Sequence, residues 1–259
     1  MFSLFKRKKQ PLHVEDIKPV EDFSDAQKLI EYFKNETGID FSNKKEIVKN
    51  KLILFCKKRE IYTFDELYGK IKTYNSLKQE LIDYLAVNET YFFRETPQIE
   101  DMINKAKKLG FKVEILCAPS SSGEEPYTIA MMMLEAGFKA FDFHIVGIDI
   151  SKSIISKAQN AIYNQRSLHR VDASLREKYF TQDGDKFTLK DIVKNQVSFR
   201  CTNIFDESLH QLRKFDFIFS RNMMIYFDHD TKIKAKNRLQ KLLKRADEQI
   251  YFGHADMVS

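Results

Sequence analysis

From residue 23 to about residue 83, apolar positions recur at spacings of three and four: Leu29, Ile30 and Phe33, then Ile47 and Leu54, then Leu77, Leu81 and Leu85. That period predicts amphipathic helices. "TGID" at 37–40 supplies a glycine stop, and Thr63 ahead of 64–72 supplies a helix start. After Lys108 the pattern changes to short β-branched or aromatic runs at Val113–Cys117, Phe143–Asp149, Val197–Cys201, 215–220 and 249–252, with helical stretches at 124–136, 151–160 and 230–245 between them. Strands alternating with helices predict a parallel α/β sheet. Residues 164–196 break the alternation, and "TQDGDKFTLKD" within them sets a DG turn between short runs, predicting a small antiparallel insertion. The expected organisation is a flexible tail over 1–20, a helical domain over 21–87, and an α/β domain over 88–259 that contains a β-subdomain at about 164–196.

Composition narrows the class. The 259 residues are 43% hydrophobic and 13% aromatic, with 22 Phe, 11 Tyr and no Trp, a globular rather than a disordered balance. Cys56, Cys117 and Cys201 are far apart and odd in number, so neither a disulfide framework nor a metal cluster is expected, and a reducing cytosol fits. The start "MFSLFKRKKQP" is too short an apolar stretch for a signal peptide, and nowhere do 18 apolar residues run together. A cytoplasmic protein is expected.

The net charge of +6 favours an acidic partner without choosing among nucleic acid, an anionic membrane and a protein surface. It concentrates in "NKKEIVKNKLILFCKKR" at 43–59, where Lys44, Lys45, Lys49, Lys51, Lys57, Lys58 and Arg59 face one acid, Glu46. Such an imbalance on a helix predicts a face that meets an acidic partner by Coulomb attraction.

The candidate chemistry lies in "EILCAPSSSGEEPYTIAMMM" at 114–133, an apolar run interrupted by small polar residues and two carboxylates. In a parallel sheet, ligands bind outside the carboxyl ends of the strands, where small residues let them approach the backbone. The stretch lacks both GxGxxG and GxxxxGK[ST], and paired carboxylates repel phosphate, so a cationic or hydroxyl-rich ligand suits it. One strand later Asp149 ends "IVGID", placed to accept hydrogen bonds from ribose hydroxyls. A nucleoside bearing positive charge satisfies both features, and S-adenosylmethionine is such a molecule.

Four segments then read together: "NETYFFRE" at 88–95, "APSSSGEEPYTIAM" at 118–131, "GIDIS" at 147–151 and "FDFIFSRNMMIYFD" at 215–228. In this order and spacing the sequence resembles the CheR-type chemotaxis receptor methyltransferases, from about Phe23 to the last residue. The resemblance implies a Rossmann-like S-adenosylmethionine-dependent methyltransferase sheet with a small N-terminal helical domain and an inserted antiparallel β-subdomain. It implies methyl transfer to glutamate side chains on the cytoplasmic helices of chemoreceptors, giving methyl esters and S-adenosylhomocysteine. By motif match it puts Asn88, Thr90, Arg94, Glu124, Asp149, Asn203, Ile204, Arg221 and Asn222 at cofactor positions, and Arg94 and Tyr226 beside the transferred methyl group. The basic residues at 44, 45, 49, 51, 57, 58 and 59 become the expected receptor contact. Pro119 and Ser122 depart from the family's loop, and "GHADMVS" departs from its usual Gly-His-Ser-Glu ending.

A glutamate acceptor, with a reference pKa of about 4.3, is ionised at neutral pH and needs no general base. Its union with a sulfonium cancels charge and gains from a water-poor pocket, for which Phe92, Phe93, Met223, Met224 and Phe227 are candidate walls. Arg94 is expected to clamp the cofactor's carboxylate, and Tyr226 to donate a hydrogen bond that orients the acceptor. The "RNMMIYF" segment lacks the Asn/Asp-Pro-Pro-aromatic turn common at amine-directed sites. The expected partner is the receptor's cytoplasmic domain, met by a monomer, with no nucleic acid and with the membrane reached only through the receptor. Two other readings stay open: a non-catalytic S-adenosylmethionine-binding adaptor, and a methyltransferase acting on another acceptor such as RNA.

Overall fold

The helical first third forms because each helix has a start, a stop and a buried stripe. The computed structural model describes residues 20–245 and 249–256, so the expected tail, apart from Val20, lies outside the described residues. Helix α1 (Gln27–Thr37) buries Leu29, Ile30 and Phe33 and ends at Gly38 with φ 78°. Helix α2 (Lys45–Lys57) buries Val48, Leu52, Phe55 and Cys56. Ile47 and Leu54, which the periodicity groups with the apolar positions, face outward, 60% and 54% exposed. Helix α3 (Phe64–Thr73) starts where predicted, the Thr63 hydroxyl accepting from Glu66 N at 3.0 Å. Helix α4 (Asn75–Leu85) closes the bundle with Leu81, Ile82 and Leu85.

The remainder runs α5 (Pro97–Ala106), β1 (Val113–Cys117), α6 (Glu124–Glu135), β2 (Phe143–Asp149), α7 (Lys152–Asn160), β3 (Ile162–Asn164), α8 (Ala173–Tyr179), β4 (Phe180–Asp183), β5 (Lys186–Leu189), α9 (Asp191–Lys194), β6 (Val197–Cys201), β7 (Phe217–Ser220), α10 (His229–Gln240) and β8 (Ile250–Phe252). The large sheet is parallel with order β6-β2-β1-β7-β8. Its two faces are covered separately: Val113, Ile115 and Cys117 join the core under α5 and α6, while Leu116 and Ile218 join the core under α10. The predicted excursion is an antiparallel sheet of order β3-β5-β4, with Gly184 and Asp185 between the paired Asp183 and Lys186. It is welded to the main core by Phe92, whose ring meets Tyr163 at 4.8 Å and Phe180 at 5.3 Å, both edge-on.

Two boundaries differ from expectation for one reason. The helix predicted over 230–245 stops at Gln240, because Leu242 and Leu243 turn inward beside Phe215: Phe215 N donates to Leu242 O at 2.8 Å and Lys244 N to Phe215 O at 2.9 Å. The strand predicted from 215 therefore enters the main ladder only at Phe217.

Strand order reverses around β1, whose neighbours β2 and β7 lead away in opposite directions, and this is the switch point where an open α/β sheet leaves a crevice. The carboxyl ends of β1, β2 and β7 open there toward the helical domain. Asp40 N donates to Tyr226 O at 2.7 Å, Asn203 Nδ2 to Glu36 O at 2.6 Å, and Gln79 Nε2 to Ile150 O at 2.9 Å, tying the domains together across it.

Candidate functional site

The crevice holds a cavity of about 240 Å³. Its walls come from the segment 85–90 with Arg94, the β1 loop at 119–121 with Glu125, the β2 end at 148–150, residues 202–204, and the loop 221–227, while Thr37, Ile39 and Phe41 of the helical domain close it. Several of these walls are held by buried polar groups. At the end of β2, Asp149 is 5% exposed; its Oδ2 accepts from Ser121 N and its Oδ1 from Ser151 N, each at 3.0 Å. Burial pushes this carboxyl up to about 6, against the lowering effect of those backbone donors. Gly147 lets the β1 loop lie this close, since a Cβ there would sit 2.8 Å from Ser120 Cβ and 2.7 Å from the Phe199 ring.

Arg221, 6% exposed, makes three bonds that tie its loop to two other segments. Its Nε donates to Glu125 Oε2, its Nη1 to Glu95 O at 3.0 Å and its Nη2 to Arg94 O at 2.9 Å. Burial pushes the Glu125 carboxyl up, and the adjacent Arg221 guanidinium pulls it back down. Asp256, 1% exposed, accepts from Asn222 N, and from Ile225 N at 3.2 Å, which holds the loop that carries Tyr226. Gly253 permits that approach, because a Cβ on it would stand 2.8 Å from Asp256 Oδ2. Burial pushes the Tyr226 hydroxyl up, so it stays protonated at neutral pH. Arg94 Nη1 donates to Glu89 O at 3.4 Å, and its Nε lies 3.7 Å from Glu95 Oε1.

The structure brings Asn88, Thr90, Arg94, Asp149, Asn203, Ile204, Arg221, Asn222 and Tyr226 to the cavity. Glu124 is the exception: it accepts from Ser122 Oγ at 2.6 Å and from Ser167 Oγ at 3.2 Å, so it holds the subdomain loop, and Glu125 takes the cavity position. Two adjacent glutamates at a helix start differ by about 100° around the axis, and the sequence alone does not choose between them. Of the candidate walls, Met223 and Phe227 line the cavity, Phe92 and Met224 are fully buried core, and Phe93 packs on the core. Asp256, Glu95 and the closing residues 37, 39 and 41 were not among the expected site residues. The sequence signals near them were the "GHAD" departure for Asp256 and the end of "NETYFFRE" for Glu95.

The basic stretch lies apart from the cavity. Lys49 Nζ donates to Ser24 O at 2.9 Å, Lys57 pairs with Glu21 at 3.3 Å, and Arg59 pairs with Glu80 at 2.8 Å while its guanidinium covers the Phe55 ring at 3.7 Å. Those three serve the helical domain itself. Lys44, Lys45, Lys51 and Lys58 have no ion pair among the described residues.

The donor set fits a cationic nucleoside. Three carboxylates, Glu89, Glu125 and Asp149, line the cavity, and Glu125 Oε1, Ser120 Oγ and Ser121 Oγ are buried at its wall without hydrogen-bond partners. Buried polar atoms of this kind are ordinarily satisfied, so these are acceptors and hydroxyls awaiting a polar ligand. Arg221, a lining cation, is already consumed by the protein's own oxygens.

Two family models match the chain: "CheR methyltransferase, all-alpha domain" over residues 24–86 and "CheR methyltransferase, SAM binding domain" over residues 88–259. The chemotaxis protein methyltransferase of Campylobacter jejuni (strain 81-176) is 39% identical over 237 residues, covering 90% of this chain and 88% of that protein. That of Borreliella burgdorferi is 35% identical over 250 residues, covering 90% and 88%. Chemotaxis protein methyltransferase 2 of Vibrio cholerae is 31% identical over 251 residues, covering 91% and 86%.

Proposed function

The chain belongs to the CheR methyltransferase family, and from that premise we propose that this S-adenosylmethionine-dependent methyltransferase esterifies glutamate side chains on the cytoplasmic helices of chemoreceptors, in the adaptation step of chemotaxis. The observation that carries the reading is a single cavity lined by the carboxylates of Asp149 and Glu125 together with Arg94 and Tyr226. When bound, S-adenosylmethionine supplies a methyl group on a sulfonium, activated for transfer to a nucleophile.

The protein's own residues have a limited task. Asp149 would accept from ribose hydroxyls, and the free Glu125 Oε1 would accept from an ammonium group. Arg94, with Asn88 and Thr90 beside it, would hold a carboxylate, and Asn203, Ile204 and Asn222 would frame the remainder. Tyr226, protonated at neutral pH, would donate a hydrogen bond to the incoming acceptor. Met223, Phe227, Ile39 and Phe41 keep water from the pair, which favours a reaction that cancels charge. No proton has to be moved, because the acceptor carboxyl is already ionised. Alignment of the two reactants supplies part of the roughly 7–11 kcal/mol available from approximation.

On this reading the enzyme works in the cytoplasm as a monomer, reaches the membrane only through the receptor and does not act on nucleic acid. Among the described residues no helix is long and apolar enough to cross a membrane. The test is incubation with tritiated S-adenosylmethionine and purified chemoreceptor cytoplasmic fragments from the same organism, followed by alkali. Base-labile counts in the receptor are expected. Counts appearing in RNA instead, or cofactor binding without any transfer, would overturn the reading in favour of another acceptor or an adaptor.

A further inference from the structure

The basic charge of the chain reappears at the cavity mouth. The loop between β3 and α8 lies against the segment that carries Arg94: Phe92 N donates to Ser167 O at 3.0 Å, and Ser167 Oγ to Glu124 Oε1 at 3.2 Å. From the other side Arg176 Nη2 donates to Leu168 O at 3.2 Å and to Val171 O at 3.3 Å, and Leu168 is fully buried. The loop is thus fixed, and it exposes Arg166, His169 and Arg170.

These groups gather round one ring, that of Tyr91. The His169 ring centroid lies 4.7 Å from it, the Arg170 guanidinium 5.2 Å, and the guanidinium of the cavity-lining Arg94 5.6 Å. Arg166 pairs at 3.4 Å with Glu89, an acid that itself lines the cavity. Arg170 has no carboxylate partner among the described residues.

We propose that Arg166, His169 and Arg170, set around Tyr91, form a docking rim for the acidic helix that delivers the acceptor glutamate. This rests on the methyl-ester reading above. Because the acceptor is part of a protein, its neighbours along the partner helix must touch whatever borders the mouth, and the border shares a tyrosine ring with Arg94. Carboxylates one or two turns from the acceptor meet planar guanidinium groups, which bind them in two-point fashion. Arg166 also masks Glu89, which would otherwise repel an acidic helix at the entrance. A rim already fixed by its backbone bonds loses little freedom on docking. Its exposed charges act mainly on encounter and specificity, and salt screens them.

The experiment compares wild type, Arg166→Glu/Arg170→Glu and Arg170→Gln in base-labile methylation of purified chemoreceptor cytoplasmic fragments, at low and raised salt, with S-adenosylhomocysteine calorimetry alongside. The double variant is expected to lose about tenfold or more in kcat/KM for the receptor at low salt, with kcat nearly unchanged, and the gap should narrow as salt rises. Arg170→Gln should fall between, and all three should bind S-adenosylhomocysteine equally. Unchanged kcat/KM and salt dependence in the double variant would overturn the rim alone. Weakened S-adenosylhomocysteine binding would also overturn it, by placing these residues in the cofactor site. A wild-type enzyme that labels no receptor, or labels RNA, would instead sink the methyl-ester reading and the rim with it.

Discussion

Burial at the end of β2 leaves Asp149 with a carboxyl pushed up to about 6 from an unfolded value of 3.8. A raised folded value means that its contribution to stability is full below 3.8 and is lost as pH climbs through about 6. Ligand binding runs the other way, because the ionised form accepts hydrogen bonds from hydroxyls more strongly. S-adenosylhomocysteine affinity is therefore expected to fall as pH drops through about 6, and Asp149→Asn should bind about tenfold or more weakly at pH above that value, with the acid-side dependence gone. Calorimetry across the range checks both. Similar tension surrounds the cavity elsewhere: Phe93, Glu95, Ser121 and Asn222 all have positive φ, at 59°, 53°, 47° and 59°. Each is pinned, Phe93 N by Thr128 Oγ, Glu95 O by Arg221, Ser121 N by Asp149 and Asn222 N by Asp256. Such backbone costs of order 1–3 kcal/mol per residue and persists only where surroundings over-determine it. The buried charges beside the cavity thus hold a backbone that would otherwise relax.

At the level of elements, α2 presents Lys44, Ile47, Lys51, Leu54 and Lys58 at successive spacings of three and four, a mixed basic and apolar side that the helical domain does not cover. Reversing Lys44, Lys51 and Lys58 to Glu is expected to lower receptor methylation several-fold at low salt without changing thermal stability, whereas Lys57→Glu also breaks a pair with Glu21 and should lower the melting temperature slightly. Receptor assays and thermal melts of the same variants separate the two effects. The same helix shows where sequence reading stops. Ile47 and Leu54 lie seven apart and do share a side, but periodicity fixes which residues group together and not which group is buried; Val48, Leu52 and Phe55 form the competing stripe that wins. Strands were legible because β-branched and aromatic runs were bounded by turn residues, and α3 and α7 because Thr63 and Ser151 cap them. The end of α10 was not, since only the tertiary pairing of Phe215 with Leu243 pulls residues 242 and 243 out of the helix. Motif match named part of the cavity lining, the segments around Asn88, Arg94, Asp149, Asn203 and Arg221. What escaped included Glu125, the closing residues 37, 39 and 41, and Asp256, whose role exists only once Gly253 brings it beside Asn222.

For the molecule as a whole, the cavity belongs to neither domain alone. Ile39 packs against the helical core and also against the core beneath α10. Lys34 of α1 pairs with Asp40 at 2.9 Å and with Asp228, the cap of α10, at 2.7 Å. Both carboxyls are held below their ordinary values, Asp228 mainly by Lys34 and Asp40 mainly by Ser42. With these side chains about a third exposed or less, the pairs are worth about 0.5–1 kcal/mol together. Lys34→Ala is expected to lower thermal stability by about that amount and to weaken S-adenosylhomocysteine binding two- to fivefold by a rough count, more at low salt than high. Melts and calorimetry at two ionic strengths check it.

The bond from Ser167 to Glu124 has a practical corollary for protein engineers. A β-insert borrowed from a relative would dock on this scaffold as more than a passenger only if it arrives with a hydroxyl at 167 and a main-chain oxygen there for Phe92. Without them the buried Glu124 carboxylate in the first turn of α6 would keep only its bond from Ser122, and the chimaera would be weakened at its seam before receptor choice could be compared.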